Sequence, residues 1–336
     1  MIKSLKLTDF RNHTKKTFEF GEGTTVIVGE NAVGKTNILE ALFILSTGKS
    51  FKTSSDVETI QYGKSIASIT GITSSTGLEV KITTGENGWP KKRLLINDVP
   101  KRQIDFSGNF KTVLFGPWDM DLVTDGPSLR RKFLDTVLSQ IDREYRRSIL
   151  SYEKGIRQRN KLLWRIREEG VSRSQLLFWN QLVIKNGNYI TDQREKFINY
   201  VNDIGKIRLD YDRSEISEKR LEQYAREEVA SATTLVGPHR DDFIFFDDSR
   251  KLDSFGSRGE QRMAVLWLKM AELAYIEEST GEKPTLLLDD IFSELDHDHR
   301  KIVLDTIVDR QVIMTTADQP SLLKLRPASQ LTIINL

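Results

Sequence analysis

Eight residues, Gly29-Glu30-Asn31-Ala32-Val33-Gly34-Lys35-Thr36, lie between an apolar strand-like stretch, Thr24 to Val28, and a helix-like one, Asn37 to Leu45. Strand, glycine-bounded loop and helix in that order make a phosphate-binding loop. Glycine lets the backbone wrap closely, so that its N–H groups point inward at phosphate oxygens. The helix N-terminus adds partial positive charge. The pattern sets Lys35 to reach the β- and γ-phosphates of ATP and the Thr36 hydroxyl to ligate Mg²⁺.

Two distant segments extend that reading. Pro284-Thr285-Leu286-Leu287-Leu288-Asp289-Asp290 is a short apolar run ending in acids. It reads as a buried parallel strand whose C-terminal end carries the site. Asp289 is expected to serve Mg²⁺, and Asp290 to polarise the attacking water. Before it, Ser254 to Arg262 leads into Met263, Leu266, Trp267, Met270, Leu273 and Ala274 at helical spacing. Ser257 is a good N-cap, and Gly259 lets a ligand approach the backbone. This is a second helix start suited to an anion.

Phosphate loop, Ser-x-Gly helix and acidic strand, followed by Ser293-Glu294-Leu295-Asp296, resemble the ATP-binding-cassette ATPases. More closely the chain resembles the RecF family, whose heads are related to SMC heads. The resemblance rests on Leu7 to His13, Gly48 to Thr53, Gly126 to Asp135 and Gly237 to Asp242, and runs from Met1 to about Gln319. It implies an α/β, ABC-type ATPase head with mixed sheets around the loop and a helical insertion lobe. It implies that Ser257 and Gly259 of one subunit close over ATP held at Gly29 to Thr36 of another, with Asp296 at the interface. Arg11 and Asn12 are candidates for nucleotide contact, or for an exposed turn. Asp290 stands where most cassette ATPases carry glutamate, and Thr315-Thr316 where they carry histidine. Both changes weaken water activation, so slow hydrolysis is expected, suited to a switch. Trp118 stands where the family usually carries an acid. Implied partners are DNA, a second copy of the chain, RecR and RecO. The competing reading is the ATPase head of a DNA-defence or nuclease-associated complex.

The remaining chain sets limits. It has no cysteine, hence no disulfide framework and no thiolate site. No apolar run approaches the roughly 20 residues that span a bilayer, and a cytoplasmic, nucleoid-associated protein is expected. Strands are expected at 2–10, 15–20, 24–28, 65–72, 78–84, 93–96 and 112–115. Residues 1–126 with 231–336 read as the head and 127–230 as the insertion, the stretch from 233 completing the nucleotide-binding sheet. Thirteen Lys and Arg between Arg130 and Arg173 face six acids. Such an excess is expected to hold DNA phosphates without base specificity.

Overall fold

A computed structural model describes residues 1–85, 91–291, 309–317 and 331–336. The chain forms two compact units, Met1–Asp119 with Glu272–Leu336, and Met120–Ala271. These divisions fall at 119/120 and 271/272, against the expected 126/127 and 230/231.

The first unit holds two sheets. Strands β1 (Ile2–Phe10), β2 (His13–Glu19), β4 (Ile66–Thr73), β5 (Gly77–Thr83), β6 (Lys91–Ile96) and β7 (Val99–Lys101) form an antiparallel sheet in the order β2-β1-β4-β5-β6-β7. β4 and β5 bury alternate residues, the mark of a sheet with one covered face. The second sheet is wholly parallel. It comprises β3 (Thr24–Val28), β8 (Thr112–Phe115), β12 (Thr285–Asp289), β13 (Val312–Thr316) and β14 (Leu331–Asn335), in the order β14-β3-β13-β12-β8. β8, β12 and β13 are buried at every residue, which explains their unbroken apolar runs. Helix α1 (Lys35–Thr47) contacts strands of both sheets. Its Ile38, Leu39, Leu42 and Leu45 share one core with Leu5, Ile69, Val80, Leu287 and Ile313.

The second unit is built on three long helices, Pro127–Ile141, Arg143–Glu169 and Leu177–Ile204. Asp142 caps the middle one by accepting from the Glu144 N–H, and Gly170 ends it in the left-handed region (φ 69°). Ser172 then caps the short turn before the third helix, so the break at Gly170-Val171-Ser172 is a helix stop followed by a new start. The last two helices form an antiparallel hairpin that closes tightly at Gly155. A Cβ there would lie 2.6 Å from Leu182 and 2.8 Å from Val183.

One expectation is corrected here. The stretch after 233 does not all complete the nucleotide-binding sheet. β10 (Asp242–Asp247) pairs with β9 (Arg208–Asp212) and β11 (Arg250–Lys251) in a separate antiparallel sheet of the second unit. Buried ion pairs anchor it there. Arg130 forks onto both oxygens of Asp242 at 2.6 and 2.9 Å, and Arg194 reaches Asp241 at 3.1 Å. The apolar face of the helix Arg258–Thr280 is also broader than the expected stripe. Ala264, Val265 and Leu268 are buried alongside Leu266 and Leu273, while Met263, Trp267, Met270 and Ala274 are half-buried.

Candidate nucleotide-binding site

Register builds the site from the parallel sheet. Asp289 on β12 lies beside Thr315 on β13, and Thr315 beside Ile27 on β3. The C-terminal ends of three adjacent strands thus meet where the loop begins at Gly29, the place where open α/β sheets receive ligands. The loop turns through left-handed backbone at Ala32 (φ 69°) and Gly34 (φ 108°) before α1 starts at Lys35. Gly34 is required twice over. Its φ favours glycine, and a Cβ there would sit 2.5 Å from Asn12 Oδ1 and 2.8 Å from His13 Nε2. Asn31, Glu30 and Ala32 are exposed, and Val33 is half-buried beneath Gly29.

Lys35 is buried, and its ammonium donates to the carbonyls of Gly29 (2.7 Å) and Glu30 (2.9 Å), back across its own loop. The Thr36 hydroxyl donates to Asp289 Oδ1 at 2.9 Å, joining residues 253 positions apart. A hydroxyl and a carboxylate side by side are hard oxygen donors of the kind Mg²⁺ takes when phosphates and waters fill its remaining positions. Thr315 completes the arrangement. Its hydroxyl donates to the same Asp289 oxygen at 2.6 Å and accepts from the Asp290 N–H at 3.1 Å. Asp290 itself has left-handed backbone (φ 50°), an uncommon conformation for a residue with a side chain. In the linear sequence Thr315 stands out only as the replacement of a histidine. Its value lies in its register, which lets one hydroxyl meet both the Asp289 carboxylate and the Asp290 backbone.

Arg11 and Asn12 occupy different settings. Arg11 forks onto Glu40, which is fully buried, at 2.7 and 2.9 Å, and donates to the Glu58 carbonyl. Ser50 donates to the same Glu40 carboxylate at 2.5 Å. The Arg11 side chain thus ties β1 to α1 behind the loop. Asn12 lies on the loop itself, donating to the Val33 carbonyl at 2.8 Å and accepting from Asn37 at 2.9 Å. His13 Nε2 lies 3.2 Å from the Gly34 carbonyl, and burial lowers its pKa. Trp118 stacks on Phe51, with centroids 4.8 Å apart and planes 25° apart. An aromatic ring therefore covers this corner, and a Cβ on Gly116 would strike it.

In the second unit, Ser257 and Gly259 are exposed at the start of the helix Arg258–Thr280. Ser257 Oγ accepts from the Glu260 N–H at 3.3 Å, and Glu260 accepts from the Ser257 N–H at 2.7 Å, a reciprocal capping box. That N–H first, then the Ser257 hydroxyl and Arg250, hold the Glu260 carboxyl at a pKa of about 2. Asp296 and its segment 293–296 lie outside the described residues.

The basic stretch needs correction. Arg130 is buried against Asp242, and Arg159, 2% exposed, bonds Glu228, Thr234 and Asn180. Neither guanidinium faces solvent. Those that do include Lys154, Arg157 and Lys161, spaced along one face of a helix with Trp164, 46% exposed, one turn further on. His239 anchors a turn. Its Nε2 lies 2.9 Å from the Thr234 carbonyl and its Nδ1 2.8 Å from the Tyr152 hydroxyl, and burial lowers its pKa. Among the described residues no group of three or more His, Cys, Asp or Glu is placed to hold a metal ion, and no helix is long and apolar enough to cross a membrane.

This arrangement has relatives. Residues 1–334 match the family model described as the RecF/RecN/SMC N terminal domain. The DNA replication and repair protein RecF of Lachnoclostridium phytofermentans is 35% identical over 94% of this chain and 92% of its own length. That of Clostridium novyi is 36% identical with the same coverage. Among solved structures, the recombination mediator protein RecF–ATPrS of the RecFOR pathway aligns with TM-score 0.84 and 31% identity, over 95% of this chain and 93% of that one. An Smc head bound to the C-winged helix domain of ScpA aligns at TM-score 0.50 and 16% identity, over 95% of this chain and 90% of that one, a likeness of fold alone. The architecture is that of an ABC-type ATPase head, and the chain belongs to the RecF family.

Proposed function

We propose that this chain is an ATP-dependent DNA-binding protein of recombinational repair and replication, a slow ATPase working as a switch. The observation that carries the reading is the Thr36–Asp289–Thr315 cluster at the mouth of the phosphate loop. It joins the loop to the acidic strand and supplies the oxygen donors for Mg²⁺. The backbone of Gly29 to Gly34 cradles the phosphates, and Lys35 leaves the Gly29 and Glu30 carbonyls for phosphate oxygens. Mg²⁺ held by Thr36 and Asp289 would supply charge neutralisation to the phosphates. Asp290, whose backbone N–H is held by Thr315, takes the proton of the attacking water. Its carboxylate is one methylene shorter than glutamate, which keeps turnover slow. Asn12 braces the loop, and Arg11 braces α1 through Glu40.

A helix start that caps itself, exposed at Ser257 and Gly259, suits closure over a second copy's nucleotide, with Asp296 at the seam. ATP binding would then pair two heads, and hydrolysis would part them. Paired heads clamp DNA, duplex or gapped, and work with RecR and RecO at the nucleoid in the cytoplasm.

Ser257→Arg tests the pairing. The variant is expected to bind ATP like wild type and to remain monomeric by light scattering at concentrations where wild type with ATP is dimeric. Normal pairing by the variant would overturn the reading. DNA binding has its own check. Replacing Lys154, Arg157 and Lys161 together by glutamine is expected to flatten the slope of log affinity against log salt by about 0.9 for each phosphate that the helix no longer neutralises. An unchanged slope in filter binding to duplex DNA would remove this helix face from the interface.

A further inference from the structure

The antiparallel sheet of the first unit buries one face and leaves the other open. Facing residues of paired strands point the same way, so register sorts the side chains of the open face. One row crosses the sheet. Lys15 on β2 faces Thr8 on β1, Thr8 faces Ser68 on β4, Ser68 faces Lys81 on β5, and Lys81 faces Arg93 on β6. At a spacing of roughly 4.8 Å between strands, the row is about 19 Å long. Lys15, Lys81 and Arg93 are exposed, and the two hydroxyl residues between them are half-buried. Lys6 and Lys91 are exposed in the adjoining rows, opposite Thr17 and Thr83.

Lys81 and Arg93 stand directly opposite one another, an arrangement of like charges that costs stability. Acids on this face do little to relieve it. Glu79 accepts from the Ser68 hydroxyl at 3.0 Å and pairs with Lys81 at 3.0 Å. Glu19 lies on the edge strand β2, opposite Ser4. Among the described residues Lys6, Lys15, Lys91 and Arg93 bond no carboxylate. Nor is the face apolar. Ile66, 53% exposed, and Ile72, 46% exposed, stand at opposite ends of β4, with Ser68 and Thr70 between them on the same side. Protein interfaces are built around a buried apolar centre and are poor in lysine. Nucleic-acid backbones are held by lysine, arginine and hydroxyl groups.

We propose that the open face of this sheet is a second surface for the DNA backbone, with Lys15, Lys81 and Arg93 on phosphates and Lys6 and Lys91 beside them. This rests on the DNA-binding reading above and adds to it a site in the first unit, separate from the helix face of Lys154, Arg157 and Lys161. A phosphate set between Lys81 and Arg93 turns their mutual repulsion into a shared attraction, so binding relieves a strain present in the free chain. Thr8 adds a hydroxyl along the row. Contacts of this kind carry no base sequence.

The test uses the full chain and a mixed-sequence DNA duplex, with filter binding over a range of salt. Replacing Lys15, Lys81 and Arg93 together by glutamine is expected to flatten the slope of log affinity against log salt by about 0.9 for each lost phosphate contact. Adding the glutamine replacements on the helix is expected to flatten it further. Lys15→Arg with Lys81→Arg, which keeps every charge, is expected to keep the wild-type slope. The melting temperature of the triple glutamine variant is expected to equal or exceed wild type, because a facing like-charge pair is gone. A wild-type slope for that variant, beside a flattened one for the helix variant, would overturn the proposal and leave the DNA-binding reading standing. If that same variant also lost self-association by light scattering, the face would be a seam between copies. Wild-type chain that holds no duplex even at low salt would sink the DNA-binding reading, and this proposal with it.

Discussion

Lys35→Met is expected to lower ATP affinity by about a hundredfold or more, with little change in melting temperature. Methionine replaces the buried stem with a side chain of similar length and shape, so the packing of α1 against the loop survives. What disappears is the ammonium. Without nucleotide it bonds the Gly29 and Glu30 carbonyls, both at the loop, where water can replace it. With nucleotide it would serve the phosphates through charge-assisted bonds, worth roughly 1.5–3 kcal/mol each. Two such bonds come to about a hundredfold even at the low end of that range. The asymmetry between a replaceable contact in the free form and an irreplaceable one in the bound form is why affinity falls while the fold stands. Calorimetry with ATP and Mg²⁺ beside a thermal melt checks both halves. Affinity within tenfold of wild type would remove Lys35 from the phosphate site.

The loop and the acidic strand were legible because their chemistry is contiguous. Gly34 must be glycine for its backbone and for its neighbours, and three leucines between Pro284 and the Asp289-Asp290 pair suit a short strand buried on both faces. What stayed hidden was long-range pairing. Nothing in the linear order joins Arg11 to Glu40, Asn37 to Lys52, or Thr315 to Asp289. Each pairing depends on register or on a helix face, which motif spacing does not encode. Charge counting included two buried cations for the same reason. Arg159 is one basic residue in a basic helix until Glu228, 69 residues away, draws it into the interior. The setting of Trp118 became intelligible only in space, as a ring stacked on Phe51.

Asp241→Ala is expected to destabilise the second unit by about 3 kcal/mol, the cost of taking one of two carboxylates from a buried cation and leaving two further buried donors unpaired. Asp241 is fully buried and accepts three hydrogen bonds, from the Tyr211 hydroxyl (2.5 Å), the Ser214 N–H (2.9 Å) and Arg194 (3.1 Å). Burial acts to lower the Arg194 pKa, but Asp135, Tyr145 and Asp241 outweigh it, so the guanidinium stays charged. Alanine would leave that cation facing Asp135, Tyr145 and the Pro238 carbonyl. It would also orphan the Tyr211 hydroxyl and the Ser214 N–H. At roughly 2–4 °C per kcal/mol the melting temperature should fall by about 10 °C. Asp241→Asn, which keeps the shape and an acceptor, should cost less. Removing the exposed Arg165–Glu169 pair should cost no more than about 0.5 kcal/mol. Urea melts of the three variants rank them, and a cost below about 1 kcal/mol for Asp241→Ala would break the argument. The ranking also bears on the Gly237–Asp242 segment, one of the stretches by which the chain resembles its family. Gly237 has φ 118° and a Cβ there would strike the Tyr152 hydroxyl, His239 binds Tyr152, Asp241 binds Arg194, and Asp242 binds Arg130. Every one of these contacts lies within the second unit, so the demands of a buried polar core account for the segment without any ligand.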